Sequence, residues 1–191
     1  SFFSYNARGW SPTHLACESR KNGLYAAGLC DFDVLDGMDE FIEAGEQLGL
    51  RAAVNLETRT FCADCAGVEI DSPGEPGVSY VTGAGFCRVP ADGSPQAHFL
   101  RTLRQTAKTR NRKLIERINP HVPSIALDYE TDVLPLSPGA CPTERHIIAA
   151  YVTKDEQAAG CTKELTDFWV QVLEQEPGPV ARLTENRPEL E

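Results

Sequence analysis

Three acidic residues follow two short apolar segments of the chain, a pattern that suits metal binding. Asp31 directly follows residues 24–30, and Asp33 lies two positions further along the chain. Glu57 directly follows residues 50–56. Because neighbouring parallel strands end at one rim of a sheet or barrel, we expect the three carboxylates to face one another. Carboxylate oxygens suit Mg, Mn, Fe or Zn ions, and a bound metal polarises phosphoryl oxygens and generates hydroxide near neutral pH.

A structural explanation competes with the metal site. An aspartate that follows a strand often caps the next helix or closes a turn. For Asp36 we expect the helix cap. For Asp31, Asp33 and Glu57 both interpretations stay open at this stage.

The elements that position these acids alternate between helix and strand. Ser11 and Pro12 are typical of a helix start, and the run to Asn22 ends at Gly23. Residues 24–30 and 50–56 predict buried strands. The helix between them ends at Gly49, and its buried face is predicted to comprise Met38, Phe41, Ile42, Gly45 and Leu48. This order predicts an α/β barrel or a doubly wound sheet.

A basic helix is predicted over residues 96–118. Its positive side chains are Arg101, Arg104, Lys108, Arg110, Arg112, Lys113 and Arg117, against the single acid Glu116. They either attract an anionic substrate or form a solvated face that pairs with acidic neighbours. Thr143 predicts the start of a short helix through Tyr151, and a last helix is predicted over residues 162–174.

The composition excludes some classes of protein. The chain has 191 residues, 41% hydrophobic and 24% charged, and a net charge of −10. Such a charge disfavours a nucleic-acid polymer as partner, because that binding requires Lys and Arg to neutralise phosphates. No apolar run approaches the roughly 20 residues that cross a bilayer, so no membrane partner is expected. Seven scattered cysteines favour a reducing, cytoplasmic location.

Cys62 and Cys65 have the spacing of half a zinc site or of a redox pair. A structural zinc site needs four ligands, and no second Cys or His pair follows at the usual interval. The redox interpretation calls for flanking structure that the sequence does not indicate.

The chain resembles the polymerase and histidinol phosphatase (PHP) superfamily of metal-dependent phosphoesterases. The likeness is carried by Cys-Asp-Phe-Asp at residues 30–33, by the strand that ends in Glu57, by Ser-Tyr-Val-Thr-Gly at residues 79–83, and by Thr-Glu-Arg-His-Ile-Ile-Ala at residues 143–149. It implies a partial, distorted (β/α)7 barrel with a helical cap insertion. The implied divisions are a partial barrel over residues 1–90, the cap over residues 91–176 and a Pro-rich tail over residues 177–191.

The resemblance also identifies departures from the family pattern. The opening His-x-His ligands would lie upstream of residue 1, and the closing ligands have no counterpart, so we expect a fragment that lacks both ends of the domain. Phe32 stands where the family has a metal-binding His, and a phenyl ring cannot coordinate a metal. Tyr80 replaces another His, and Tyr5 falls near a family Asp.

The resemblance implies roles for several residues. Asp31, Asp33 and Glu57 would bind divalent metal ions and serve catalysis, while Arg145, His146 and Arg110 would hold a small phosphorylated substrate. The predicted function is a metal-dependent phosphoesterase that hydrolyses small phosphate monoesters or nucleotides. The alternatives are a binding or regulatory module of the same fold that has lost its metals and, less favoured, another barrel enzyme that acts on sugar phosphates.

Overall fold

The computed structural model describes residue 7 and residues 9–159 and 162–185. The chain divides into two compact units, residues 1–106 and residues 107–191. The predicted divisions after residues 90 and 176 differ from this one and stay predictions. The expectations for Tyr5 and for residues 186–191 fall outside the described residues.

Within residues 9–94, the structure describes two α-helices and three strands, which begin in the order that the sequence predicts. They are α1 (Pro12–Lys21), β1 (Ala26–Phe32), α2 (Met38–Leu48), β2 (Arg51–Phe61) and β3 (Val78–Ala84). The predicted start of α1 is confirmed, because the Ser11 hydroxyl accepts a hydrogen bond from the His14 amide at 3.2 Å.

The strands form an open sheet in the order β1-β2-β3. Strands β1 and β2 are parallel, and Leu29 pairs with Val54. Strand β3 runs antiparallel to β2 and pairs with its second half. The sheet of the described residues is therefore open and mixed, and a closed barrel is not seen in them.

Helix α2 ends at Gly49, as predicted, but its predicted cap at the start is wrong. Gly49 ends it at a φ of 63°, a left-handed conformation that glycine adopts without strain. Its first cap residue is Gly37, and no side chain caps it, so the predicted cap by Asp36 is wrong. Asp36 lies one residue too early, and its carboxylate forms an ion pair with Arg104 instead.

The core of the first unit lies between the two helices and one face of the sheet. We call this face the packed face. Because side chains alternate along a strand, the opposite, open face carries the residues in between. The buried core residues are Ala16, Leu29, Leu35, Met38, Phe41, Ala44, Leu50, Val54 and Leu56.

Helix α3 (Pro95–Ile118) begins in the first unit and ends in the second. The second unit continues with short turns and three helices, α4 (Glu144–Ala158), α5 (Thr162–Leu173) and α6 (Pro177–Glu185). The predicted helices over residues 96–118 and 162–174 are confirmed. Helix α4 extends beyond the predicted end at Tyr151.

The second unit has its own core. It joins the end of α3, the turns that follow it, and α4; its buried members are Ile115, Val122, Ile125, Leu127, Tyr129, Val133, Ile147, Ala150 and Tyr151. No helix of the described residues is long and apolar enough to cross a membrane.

Candidate functional site

The strand register decides which predicted site residues share a face. Asp31 pairs with Leu56, a core residue, whereas Phe32 pairs with Glu57. Paired residues in neighbouring strands point to the same side of the sheet, and successive residues point to opposite sides. Asp31 therefore belongs to the packed face, and Glu57 belongs to the open face.

The two aspartates occupy structural positions. Asp31 is buried beside the core with 2% of its surface exposed, and Asp33 is buried at 3%. The Thr58 hydroxyl donates a hydrogen bond to Asp33 Oδ1 at 2.6 Å, and the Asp33 amide donates to the Glu57 carbonyl at 2.9 Å. Asp33 has a φ of 60°, which aspartate tolerates better than most residues. It closes the turn after β1.

The three predicted acids do not fit a shared metal ion. Asp31 and Glu57 lie at one level of the sheet but on its two faces, and Asp33 lies in the turn after β1. In the part of the chain that the structure describes, no group of three His, Cys, Asp or Glu side chains is arranged to hold a metal. The physical reason is the two-residue alternation of a strand, which separates Asp31 from Glu57.

An aromatic pair occupies the open face next to Glu57. The ring centroids of Phe32 and Tyr80 are 5.8 Å apart, and the ring planes are tilted by 60°. Glu57 pairs with Phe32 on one side and with Thr82 of β3 on the other. By the family resemblance, Phe32 stands at the position of a metal-binding histidine and Tyr80 at the position of another histidine.

Cys30 also lies on the open face, two residues before Phe32 on the same strand. Burial raises the pKa of its thiol, and the charges of Glu57 and Asp31 raise it further. Cys30 pairs with Asn55, and the Asn55 side-chain oxygen accepts a hydrogen bond from the Gly85 amide at 3.1 Å. The open face is thus a mixed surface of aromatic, thiol, amide and carboxylate groups.

In the second unit, the predicted substrate residues come together at the start of α4. Arg110 Nε lies 4.0 Å from Glu144 Oε1. The side-chain amide of Asn111 donates a hydrogen bond to the Pro142 carbonyl at 2.6 Å. Arg145 is exposed on the first turn of α4. The structure therefore places Arg110 beside the helix turn that carries Arg145 and His146.

His146 has a structural contact that the sequence analysis missed. Its Nδ1 accepts a hydrogen bond from the Thr143 amide at 3.0 Å, and the side chain is 3% exposed. Burial lowers the pKa of His146 to about 4, so the ring is neutral near pH 7. The signal was the Thr three residues earlier, which is the spacing of a capping box.

Part of the positive charge of α3 is already paired. Lys108 and Arg112 both form ion pairs with Glu130, and both cations lie over the ring of Tyr129, at 5.7 Å and 5.5 Å from its centroid. Arg104 pairs with Asp36. These three side chains follow the predicted alternative of pairing with acidic neighbours.

A cavity of about 780 Å³ lies in the first unit. Its main apolar lining comes from Leu35, Leu56, Phe86, Val89, Phe99 and Leu100, and Arg88 is the charged residue among those that line it. Because Leu56 belongs to the packed face, this cavity is separate from the open face. No pattern in the sequence predicted this cavity.

Comparison with known proteins identifies a fold relative. No family model matches the chain, and no curated protein matches it. The chain is similar to the crystal structure of a candidate metal-dependent phosphoesterase from Bifidobacterium adolescentis, with a TM-score of 0.59 and 20% identity. The match covers 81% of this chain and 48% of that one, so the chain spans about half the length of its structural neighbour. At this identity the likeness shows a related mixed α/β fold.

Proposed function

We propose that the chain is part of a PHP-type domain that binds a small phosphorylated compound without the metal-centred hydrolysis of that superfamily. The observation that carries this proposal is the contact between Phe32 and Tyr80 on the open face. The related fold of a candidate metal-dependent phosphoesterase supports the assignment to this type of domain. The distorted (β/α)7 barrel with a helical insertion is part of the same proposal.

The chemistry of the donor set argues against a metal at this position. A phenyl ring offers no lone pair, and a neutral phenol is a weaker ligand than an imidazole. Protein metal sites are built from several such donors, commonly three or four for zinc. Glu57 is a single carboxylate beside an aromatic pair, while Asp31 belongs to the other face. The open face offers stacking and hydrogen bonding in place of coordination.

The proposed phosphate contacts are Arg110 and Arg145. A guanidinium group donates two parallel hydrogen bonds to phosphate, and a helix start adds free amide donors. Arg110 Nε is buried without a hydrogen-bond partner among the described residues, and Arg145 is exposed. His146, neutral and buried, supplies no charge and positions the helix turn instead.

The first experiment measures metal content and metal-dependent thermal stability. We expect protein purified without added metal to contain no stoichiometric Mn, Fe or Zn, and to gain no stability from them or from Mg. The double variant Phe32→His/Tyr80→His should gain affinity for Mn or Zn, because it returns two imidazoles to the face of Glu57. Stoichiometric metal in the wild-type protein would contradict the proposal.

The second experiment measures binding of nucleotides and phosphate monoesters by calorimetry. Arg145→Gln should weaken binding about tenfold or more, because it removes a charge-assisted contact worth about 1.5–3 kcal/mol. Arg101→Gln, an exposed arginine on α3 that is not among the proposed contacts, serves as the matched control. Equal affinity of the Arg145→Gln variant and the wild type would remove Arg145 from the proposed site.

A metal-dependent phosphoesterase is the second candidate function. It is favoured by the position of Glu57 on the open face of a phosphoesterase-type fold, and it would use Mg, Mn, Fe or Zn. Under this alternative, the wild-type protein hydrolyses p-nitrophenyl phosphate when metal is added. Glu57→Gln should then abolish the activity, while Glu46→Gln, an exposed acid on α2, should keep it.

A further inference from the structure

Cys62 and Cys65 form a tight turn at the end of β2. The Cys65 amide donates to the Cys62 carbonyl at 3.1 Å, and the Val68 amide donates to the Cys65 carbonyl at 2.9 Å. The Cys62 amide donates to the Gly77 carbonyl at 2.8 Å, just before β3 begins. The turn is therefore tied to both strands of the β2–β3 pair, and its backbone holds the two cysteines side by side.

The turn brings the two cysteines within reach of each other, and both side chains are accessible. A hydrogen bond with the Cys62 side chain is the largest of the effects that raise the pKa of Cys65. Both are free cysteines and both are partly exposed. In the described residues no third metal-binding side chain joins them, so the turn lacks the ligands of a zinc site.

We propose that Cys62 and Cys65 are a redox-active dithiol that exchanges with small disulfides such as oxidised glutathione. The Cys62 thiolate attacks one sulfur of the small disulfide and releases one thiol, leaving a mixed disulfide on Cys62. The Cys65 thiolate then attacks the Cys62 sulfur and releases the second thiol. The protein loses two electrons and two protons, and the small disulfide is reduced to two thiols.

The raised pKa of Cys65 supports this order of attack. The neighbouring Cys62 side chain raises the pKa of Cys65, which leaves less of Cys65 as thiolate near neutral pH, so we assign it the second attack. Because a four-residue turn already brings the backbones of Cys62 and Cys65 close together, closure of the disulfide requires little movement of the backbone. The pair remains anchored by the same three backbone hydrogen bonds in both redox states.

The test is a titration of the full chain in buffers of defined ratio of reduced to oxidised glutathione. Alkylation of the remaining thiols and peptide mass mapping then report each cysteine separately. We expect loss of two hydrogens on the peptide that contains Cys62 and Cys65, reversed by excess reduced glutathione. Cys65→Ser should accumulate a mixed disulfide with glutathione on Cys62, and Cys62→Ser should accumulate much less on Cys65.

Cys87→Ser removes an exposed cysteine elsewhere in the first unit and provides the control. This variant should form the Cys62–Cys65 disulfide at the wild-type ratio of glutathione. The proposal is overturned if both cysteines stay open to alkylation across the whole series while Cys87 takes up glutathione. Pairing of Cys62 or Cys65 with a different cysteine would overturn it equally.

Discussion

The two faces of the three-stranded sheet place acidic side chains in different surroundings. On the packed face, the carboxylate of Asp31 is buried beside the core. Past the end of β1, Asp33 accepts a hydrogen bond from the Thr58 hydroxyl. On the open face, Phe32 and Tyr80 are in contact beside the half-buried Glu57. An acidic residue at the end of a strand is therefore a candidate catalytic or binding residue only if its side chain lies on the open face of the sheet.

The largest expected effect comes from comparing Asp33, which is buried, with Glu57, which lies on the open face. Asp33→Ala removes the hydrogen bond from Thr58 and places alanine at a φ of 60°, so we expect a loss of about 2–3 kcal/mol in the free energy of unfolding. Glu57→Ala should change it by less than about 1 kcal/mol. Urea unfolding of both variants measures the difference.

Asp33→Asn is the matched control for this comparison. Asparagine keeps a side-chain oxygen that accepts from Thr58, and it tolerates the left-handed conformation. It should therefore recover most of the stability that alanine loses. Equal destabilisation by Asp33→Ala and Glu57→Ala would show that both acids have the same structural role.

The contrast between buried and open ionisable groups recurs on α4, where Asp155 and His146 are buried and Arg145 is exposed. Burial raises the pKa of Asp155 to about 6 from its ordinary 3.8. The indole N–H of Trp169 faces this carboxyl and partly offsets the effect, although the two groups fall short of full hydrogen-bond geometry. Stability from Asp155 is therefore lost as the pH rises from about 4 to about 6.

His146 has the opposite pH dependence. Its pKa falls from 6.5 to about 4 on folding, so its contribution to stability is complete above pH 6.5 and is lost as the pH falls toward 4. We expect the two trends to compensate in the wild-type protein. Asp155→Asn should be more stable than the wild type by about 1–2 kcal/mol at pH 7, and the difference should vanish near pH 4.

The measurement is urea unfolding at a series of pH values. Asp167→Asn, at an exposed acid on α5, should show no such trend. A stability difference for Asp155→Asn that stays constant from pH 4 to pH 7 would mean that Asp155 is ionised in the folded protein throughout this range.

Helix boundaries could be predicted where their signals are local. Ser11 caps α1 through a hydroxyl three residues from its donor, and Gly49 ends α2 by its own backbone conformation. Strand ends were less predictable because they depend on distant partners. Strand β2 continues to Phe61 because β3 pairs with it, and no pattern near Glu57 indicates that pairing.

The candidate site was predictable only in part for a similar reason. The sequence placed Asp31 and Glu57 at one level of the sheet, which the register supports. It could not show which face the helices cover, and a shift of one residue exchanges the two faces. The function of His146 as a cap depends on Thr143 and on burial by the rest of the second unit, which is also a non-local property.

Two glycines test the two faces of the sheet, with smaller expected effects than Asp33→Ala. A Cβ on Gly45 of α2 would lie 2.8 Å from the Ala52 Cβ and 3.0 Å from the Leu50 carbonyl oxygen, on the packed side of the sheet. A Cβ on Gly28 would lie 3.2 Å from the side-chain amide nitrogen of Asn55 on the open face, and the Asn55 side chain is able to move away.

Gly45→Ala should lower the free energy of unfolding by about 1–2 kcal/mol, because overpacking outweighs the gain in helix propensity. Gly28→Ala should leave it within about 0.5 kcal/mol of the wild-type value, since alanine in a strand loses less entropy than glycine. The double variant Gly45→Ala/Ala52→Gly removes the contacting methyl group and should recover part of the loss. Equal destabilisation at both glycines would mean that the open face is packed as tightly as the other.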